Sequence, residues 1–287
     1  MMFKFWQAFR WIVWFFNLVR NRKSSPGYSL EFIQKSWEDV RLSMVTTIID
    51  YEESSDVVSN LIKFLRSSGT FELIKLGPEH GDGAYYVPSN LHFDRNISIG
   101  VGKNFEFELS LNPNTKIFLF DHTILVPENL PSNFKFYKIG VGHKNSLHLK
   151  TLNQIFEICY VENALRTLLK IDIEGDEYKI FDNFKYIQEV DVLVLEIHNL
   201  NRILDREFRA EFINFSNFLF ENFVCVYSNG NNNTGVTAFN NFVLANTIEL
   251  TLVSKKIVQK LEVSVRNYSV QNNLKAPILK PFYEYNK

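Results

Sequence analysis

Along the first 23 residues, Phe5, Ala8, Ile12, Phe15, Phe16 and Val19 recur at steps of three and four. Lys4, Gln7, Arg10, Asn17 and Asn21 take the opposite side of the same helical projection, with Trp11 and Trp14 at the border. A spanning helix needs about 20 consecutive apolar residues. The uninterrupted apolar run here is only Trp11 to Phe16, and no small-residue cleavage site follows, so neither a span nor a signal peptide is expected. The pattern fits a helix lying in a membrane interface, with Arg20, Arg22 and Lys23 attracted to anionic lipid. It fits equally a helix packed on the protein itself or on a partner chain. Ser24-Ser25-Pro26-Gly27 then breaks the pattern. Within residues 29–67, Leu30, Ile33, Trp37, Val40 and Met44 predict one helix, and Val57, Leu61, Ile62 and Leu65 predict another.

From about residue 70 the periodicity changes to short apolar runs separated by helical stretches. Strands are predicted at 97–101, 116–121, 135–140, 167–172, 191–197, 223–228 and 248–253, and helices at 150–160, 177–187 and 206–221. Strands alternating with helices imply a doubly wound, mostly parallel α/β sheet covered on both faces. The stretch 229–247 leaves no room for an ordinary crossover helix, so a long loop and an antiparallel final strand are expected. Right-handed crossovers put the carboxyl ends of the parallel strands, and with them the ligand crevice, on one edge. The expected organisation is an aromatic and basic helix at 1–23, a helical cap at 24–69, the sheet domain at 70–255 and an extension at 256–287.

Composition narrows the classes. Hydrophobic residues make up 46% of the 287, which excludes a disordered chain and supports a sizeable core. The 31 Lys+Arg against 32 Asp+Glu give no electrostatic reason to expect nucleic acid. Cys159 and Cys225 can form neither a disulfide framework nor a thiolate metal cage, which suits a reducing, cytoplasmic setting.

Candidate chemistry lies at the predicted strand ends. The first strand runs into Gly100-Val101-Gly102, where glycines let the backbone turn tightly beside a ligand, although Phe105 stands where a dinucleotide fingerprint has its third glycine. Asp121 follows about 20 residues later, a spacing suited to ribose hydroxyls and also to a helix cap. Together they favour an adenosine-type ligand. Asp172 and Glu174 would share a face if their strand extends that far, and Gly175 ends it. Glu196 and His198 close the next strand. If the two strands are neighbours, three carboxylates and an imidazole gather over one crevice. Such carboxylates raise and orient a histidine, which can then take a proton from a hydroxyl. A divalent cation on the same oxygens and imidazole is the alternative use of the cluster, and a capping Asp with a structural His is the bland one.

These segments resemble the FkbM-type and related class I S-adenosylmethionine-dependent methyltransferases. LLKIDIEGDEY (168–178) is similar to the family's K-I-D-x-E-G-x-E stretch, and VLVLEIH (192–198) to its strand ending in E-x-H. GPEHGDGAYYV (77–87), ISIGVGKNFEFE (97–108), and VYSNGNNNTG (226–235) with IELTLV (248–253) resemble its upstream element, its donor loop, and its late Asn-Asn loop and final strand. Ala84 replaces the second glycine of the upstream element, and Tyr227 and Ser228 stand where the family often has an imidazole.

The resemblance covers about residues 70–255. It implies a seven-stranded Rossmann-like methyltransferase sheet, to which the helical spacing of the earlier residues adds an N-terminal helical extension outside the resemblance. It also implies methyl transfer from S-adenosylmethionine to an oxygen, often on a sugar or glycan. Gly100 and Gly102 would line the donor and Asp121 would hold its ribose. Asp82 and Gly83 would sit near its amino-acid end or the acceptor. Asp172 would lie where methyl meets acceptor. His198 would be the base with Glu196 orienting it, and Glu174, Asn231 and Asn232 would meet the acceptor. The segment 1–23 would hold the enzyme peripherally at the inner membrane face. A catalytically silent binding protein on the same fold, and a nicotinamide-dependent oxidoreductase acting on a nucleotide sugar, are the alternatives.

Overall fold

The computed structural model describes residues 52–66, 71–80, 82–239, 242–258 and 282–284. The amphipathic segment 1–23, the helix expected from Leu30 to Met44 and most of 256–287 lie outside the described residues. The chain divides into two compact units, Met1–Val57 and Val58–Lys287. The described residues of the first, 52–57, are helical, and the helix (α1) continues to residue 66. Within the second unit Leu61, Ile62 and Leu65 are buried, as the helical spacing predicts, and Val58 is buried where the spacing points to Val57, which is half-buried. Phe64 meets Phe220 at 4.6 Å between ring centroids. Among the described residues no helix is long and apolar enough to cross a membrane.

Seven strands form the central sheet: β1 (Arg95–Ile99), β2 (Lys116–Phe120), β3 (Phe134–Tyr137), β4 (Thr167–Ile171), β5 (Val192–Ile197), β6 (Phe223–Gly230) and β7 (Ile248–Ser254). Their order is β6-β7-β5-β4-β1-β2-β3. β1 to β5 pair in parallel, and β7 runs antiparallel to both β5 and β6. This is the doubly wound, Rossmann-like methyltransferase sheet, with the antiparallel final strand that the short 229–247 connection demanded. The middle strands are covered on both faces, so they are written as nearly continuous apolar runs. Val192, Leu193, Val194, Leu195, Leu168, Leu169, Ile97 and Ile99 are all 0% exposed. Fully burying an aliphatic side chain contributes about 1.5–3 kcal/mol, so this layer dominates the sheet's cohesion.

Helices lie between the strands, and a short one, Lys255–Val258, follows β7. α2 (Glu106–Leu109) follows the β1 glycine turn. α3 (Leu152–Ile158) opens on a capping box between Thr151 and Gln154. α4 (Arg206–Asn222) is capped by Asp205, whose carboxylate accepts from the backbone of Glu207 and Phe208. The helix expected at 177–187 does not form. That segment runs as successive turns into a short 3-10 helix, Ile187–Glu189. Asn183 takes a left-handed φ of 57°, which stops helical propagation. Tyr178, Phe181 and Phe184 are instead spaced to interlock with one another and with Phe208, Phe212, Phe215 and Phe218 of α4.

Two smaller pieces frame the carboxyl edge of the sheet. An antiparallel hairpin of Leu73–Leu76 and Tyr85–Pro88 precedes β1. It is tied to β7 by the Thr251 hydroxyl, which donates to the Tyr86 carbonyl at 2.5 Å. Between β6 and β7 the chain makes a second hairpin, Val236–Phe239 with Phe242–Ala245, and Phe282–Glu284 adds a third strand to it.

Candidate active site

The adenosine side of the crevice is built where β1 and β2 end. Gly100, at φ +75°, ends β1 and donates its N–H to the Phe120 carbonyl at 2.9 Å. A Cβ on Gly100 would stand 1.6 Å from the Asp172 carbonyl oxygen, so the close approach of β4 requires glycine there. Gly102, at φ +63°, is different: a Cβ there would meet nothing within 4 Å. Asp121, 5% exposed, accepts from Gly102 N–H at 2.8 Å on one oxygen. Its other oxygen accepts from the Thr123 N–H and hydroxyl at 2.7 and 2.6 Å. Burial works against its charge, but these donors prevail and hold the carboxyl below its usual range. The Ile124 N–H adds to them, so four donors hold the carboxylate.

The other half of the crevice is where β4 and β5 end. They are parallel neighbours, with Ile171 opposite Leu195. Asp172 continues the ladder by donating its N–H to the Ile99 carbonyl at 3.0 Å. β4 stops at Ile171, so Glu174 does not share a strand face with Asp172. Glu174 takes a left-handed φ of 61° and turns its carboxylate back over the site. The Nε2 atom of His198 consequently faces Glu174 at 3.5 Å, Glu196 at 3.8 Å and Asp172 at 3.9 Å. The expected gathering of three carboxylates and one imidazole is present.

The residue that orients the imidazole is Glu177, not Glu196 as the sequence suggested. Glu177 is fully buried, and its Oε1 lies 2.7 Å from His198 Nδ1 and accepts from the Gly175 N–H at 3.0 Å. Its Oε2 has no hydrogen-bond partner. Tyr178 supports the same unit from behind by donating its hydroxyl to the His198 carbonyl. Glu177 is a tertiary contact that strand-end patterning could not reveal; its place in the K-I-D-x-E-G-x-E stretch was the available signal.

Asn231 also departs from expectation. It is buried, its amide donates to Glu196 Oε1 at 2.6 Å, and its carbonyl accepts from the Asn233 N–H at 2.9 Å. One amide N–H and one carbonyl lone pair are committed within the protein, and through the first Asn231 positions Glu196. Asn232, next to it, is half-buried in the same loop.

Residues missed from sequence complete the setting. Glu249 of β7 sits directly opposite Glu196 in the antiparallel register and accepts from the Asn229 amide at 3.1 Å. Carboxylate oxygens of Asp82, Glu196 and Glu249 lie within 4.8 Å of one another, as do ligand atoms of Asp172, Glu174 and His198. Asp82 itself accepts from the Gly83 N–H at 3.0 Å. Tyr85, from the hairpin, donates to Asp172 Oδ2 at 3.3 Å. Buried Lys170, two residues before Asp172, lies 3.7 Å from the Glu108 carboxylate and 5.2 Å from the Tyr85 ring centroid. A lone Glu in the apolar run of β7 and a lone Lys in that of β4 were the signals for two of these.

This crowding sets the protonation states. Burial, then Asp172, Glu249 and Asp82, push Glu196 well above the usual carboxylate range. Asp172 is also raised by burial and by Glu174 and Asp82, with Lys170 and His198 opposing. Burial disfavours a charged His198, yet the Glu177 hydrogen bond and charge, with Asp172 and Glu174, leave its pKa raised. Burial and the surrounding acids keep Tyr85 a neutral donor far above its usual value.

Neither a family model nor a characterised relative matches the sequence. Among solved structures, a Clostridium thermocellum protein described as an rRNA-methylase is similar at 12% identity and a TM-score of 0.34, over 56% of this chain and 86% of that one. Precorrin-6y C5,15-methyltransferase from Geobacter metallireducens GS-15 is similar at 16% identity and a TM-score of 0.31, over 58% and 84%. The fold assignment stands on the strand order and directions above, independently of both.

Proposed function

We propose that this chain is an S-adenosylmethionine-dependent O-methyltransferase acting on a sugar or glycan hydroxyl. The observation that carries the proposal is the convergence of His198 with Asp172, Glu174 and Glu196 beside the Gly100–Gly102 turn and Asp121. Adenosine would lie over the glycine turn with its ribose on Asp121. The sulfonium charge suits a crevice rich in carboxylates. The sugar assignment draws on the family resemblance and on the number of carboxylate acceptors available to hydroxyls.

In the reaction the acceptor oxygen bonds to the methyl carbon as the carbon–sulfur bond breaks, and the bonding pair stays on sulfur. The hydroxyl proton goes to His198 Nε2. Glu177 Oε1, which also accepts from the Gly175 N–H, accepts from the Nδ1–H of the neutral ring and leaves the Nε2 lone pair facing the acceptor. In the free protein the surrounding acids favour the imidazolium, which is no base. Arrival of the sulfonium lowers the ring's proton affinity, so base competence is coupled to donor binding. In-line positioning of the reactants supplies the rest of the rate. The aromatic and basic segment 1–23 would bring the crevice to membrane-assembled acceptors at the inner face.

Calorimetry with the donor, and mass spectrometry of glycans for a unit of one methyl, test the proposal. Asp121→Ala should weaken donor binding. His198→Ala should keep donor binding and lose about 100-fold or more in turnover. Full turnover by His198→Ala would refute the base assignment. Absence of donor binding would return the chain to a silent binding role, and thermal stabilisation by NAD alone would favour an oxidoreductase.

A further inference from the structure

We propose that Asp172, Glu174 and His198 bind a divalent first-row cation, and that the bound ion and the proton-accepting role of His198 exclude one another. Only the second half of this proposal rests on the methyl-transfer reading.

The starting point is the imidazole. Its side chain is 9% exposed, and its Nδ1 is held at 2.7 Å by buried Glu177. When the ring is neutral, that contact keeps its hydrogen on Nδ1 and turns the Nε2 lone pair toward the crevice. What Nε2 meets there is three carboxylate oxygens, at 3.5 Å from Glu174, 3.8 Å from Glu196 and 3.9 Å from Asp172. None of these separations is a good hydrogen bond. The crevice-side nitrogen of a largely buried ring therefore points among three carboxylates. A shared positive centre satisfies such an arrangement.

The spacing suits an ion. Metal–ligand bonds of about 2.0–2.2 Å put neighbouring donor atoms roughly 3.0–3.5 Å apart, and the separations of Nε2 from Glu174 and Asp172, 3.5 and 3.9 Å, lie close to that range. Glu174, whose side chain is 85% exposed, is free to move. The carboxylate behind the ring is also the arrangement that metal-ligating histidines use, since a second acceptor on the far nitrogen fixes the tautomer and raises ligand basicity. One imidazole with two carboxylates favours Zn²⁺ or Mn²⁺ over Mg²⁺ or Ca²⁺. The neighbouring Asp82, Glu196 and Glu249 group contains no imidazole and lacks this selectivity. Because the ion would occupy the same lone pair that accepts the substrate proton, occupancy by Zn²⁺ inhibits methyl transfer.

The test is equilibrium dialysis of the untagged full chain against ZnCl₂, with metal quantified per chain. Five other histidines are present, so the readout is the difference between variants. His198→Ala and Asp172→Asn should each lose one tight equivalent, with affinity reduced tenfold or more. Glu249→Gln should retain it. Circular dichroism melts establish that each variant is folded, and Glu174→Gln, altering an exposed side chain, serves if the buried variants are not. Turnover should fall in proportion to occupancy. Equal Zn²⁺ binding by wild type and the site variants would overturn the site, as would loss confined to Glu249→Gln. Activation by the tightly bound ion would overturn the exclusion. Donor calorimetry on the same samples, in chelator, keeps a failure of the cation site separate from a failure of the methyl-transfer reading.

Discussion

Gly100 and Gly102 are two residues apart, both have positive φ, and the structure gives them opposite tasks. In Gly100→Ala the new Cβ would lie 1.6 Å from the Asp172 carbonyl oxygen and 2.7 Å from its carbon, where contacts below 3.0 Å essentially never occur. Neither partner can yield cheaply. Gly100 N–H is bonded to Phe120 and Asp172 N–H to Ile99, so separating them disturbs the ladder on both sides of β1. Adding the left-handed penalty, the overpacking and the weakened hydrogen bonds gives a loss of about 3–6 kcal/mol. For a unit of this size that is a fall in Tm of roughly 10 °C or more. In Gly102→Ala the Cβ meets nothing within 4 Å, so only the backbone penalty of about 1 kcal/mol remains, a fall of roughly 3 °C. The same methyl group, however, projects into the space assigned to the donor and should weaken donor binding at least tenfold, about 1.4 kcal/mol. Urea melts and donor calorimetry on the two variants decide the matter. Donor affinity unchanged in Gly102→Ala would refute the path of adenosine over this turn. A Gly100→Ala protein as stable as wild type would refute the steric account of β4.

Further outcomes follow from the buried polar groups. His198, Glu196 and Asp172 all have raised pKa values in the fold. Each therefore stabilises the fold fully below its unfolded value, about 6.5 for His and about 4 for the acids, and that contribution is lost as pH rises through the raised folded value. Ligand-free protein should melt lower at pH 8.5 than at pH 6.5, and Glu177→Gln should flatten the slope; a melting temperature that climbs over this range would contradict the assignment. Asn231→Ala removes the amide that donates to buried Glu196 and should cost about 1–3 kcal/mol in a urea melt, whereas a neutral effect would mean that Glu196 has another adequate donor. Burial pushes the Cys225 thiol up to about 12 and raises Cys159 as well, so both should react with a thiol reagent on the order of a thousandfold slower than in denaturant. Prompt labelling of the native protein would show that one of these sites opens.

The sheet was legible because buried parallel strands are written as uninterrupted apolar runs bounded by charge. All seven lay within a few residues of where such runs fall, and the charges that end β4 and β5 marked the crevice. The 177–187 crossover imitates a helix for a physical reason: Tyr178 and Phe181 recur at helical spacing because they pack on α4, and Phe184 because it packs on Phe156 of α3, while Asn183 breaks the helix locally. Glu177 behind His198 and Glu249 opposite Glu196 depend on tertiary proximity and on strand register, neither of which periodicity encodes. The Asn-Asn loop is visible in the sequence, but the bond from the Asn231 amide to Glu196 depends on how that loop folds back over β5.

The strand Phe282–Glu284 returns to pair with Phe242–Ala245, in the connection that also carries Asn231. Trimming the carboxyl end would thus expose a raw ladder edge a short distance along the chain from the amide that steadies Glu196. Cargo hung behind Glu284 would tug on the same connection that holds Asn231 against Glu196.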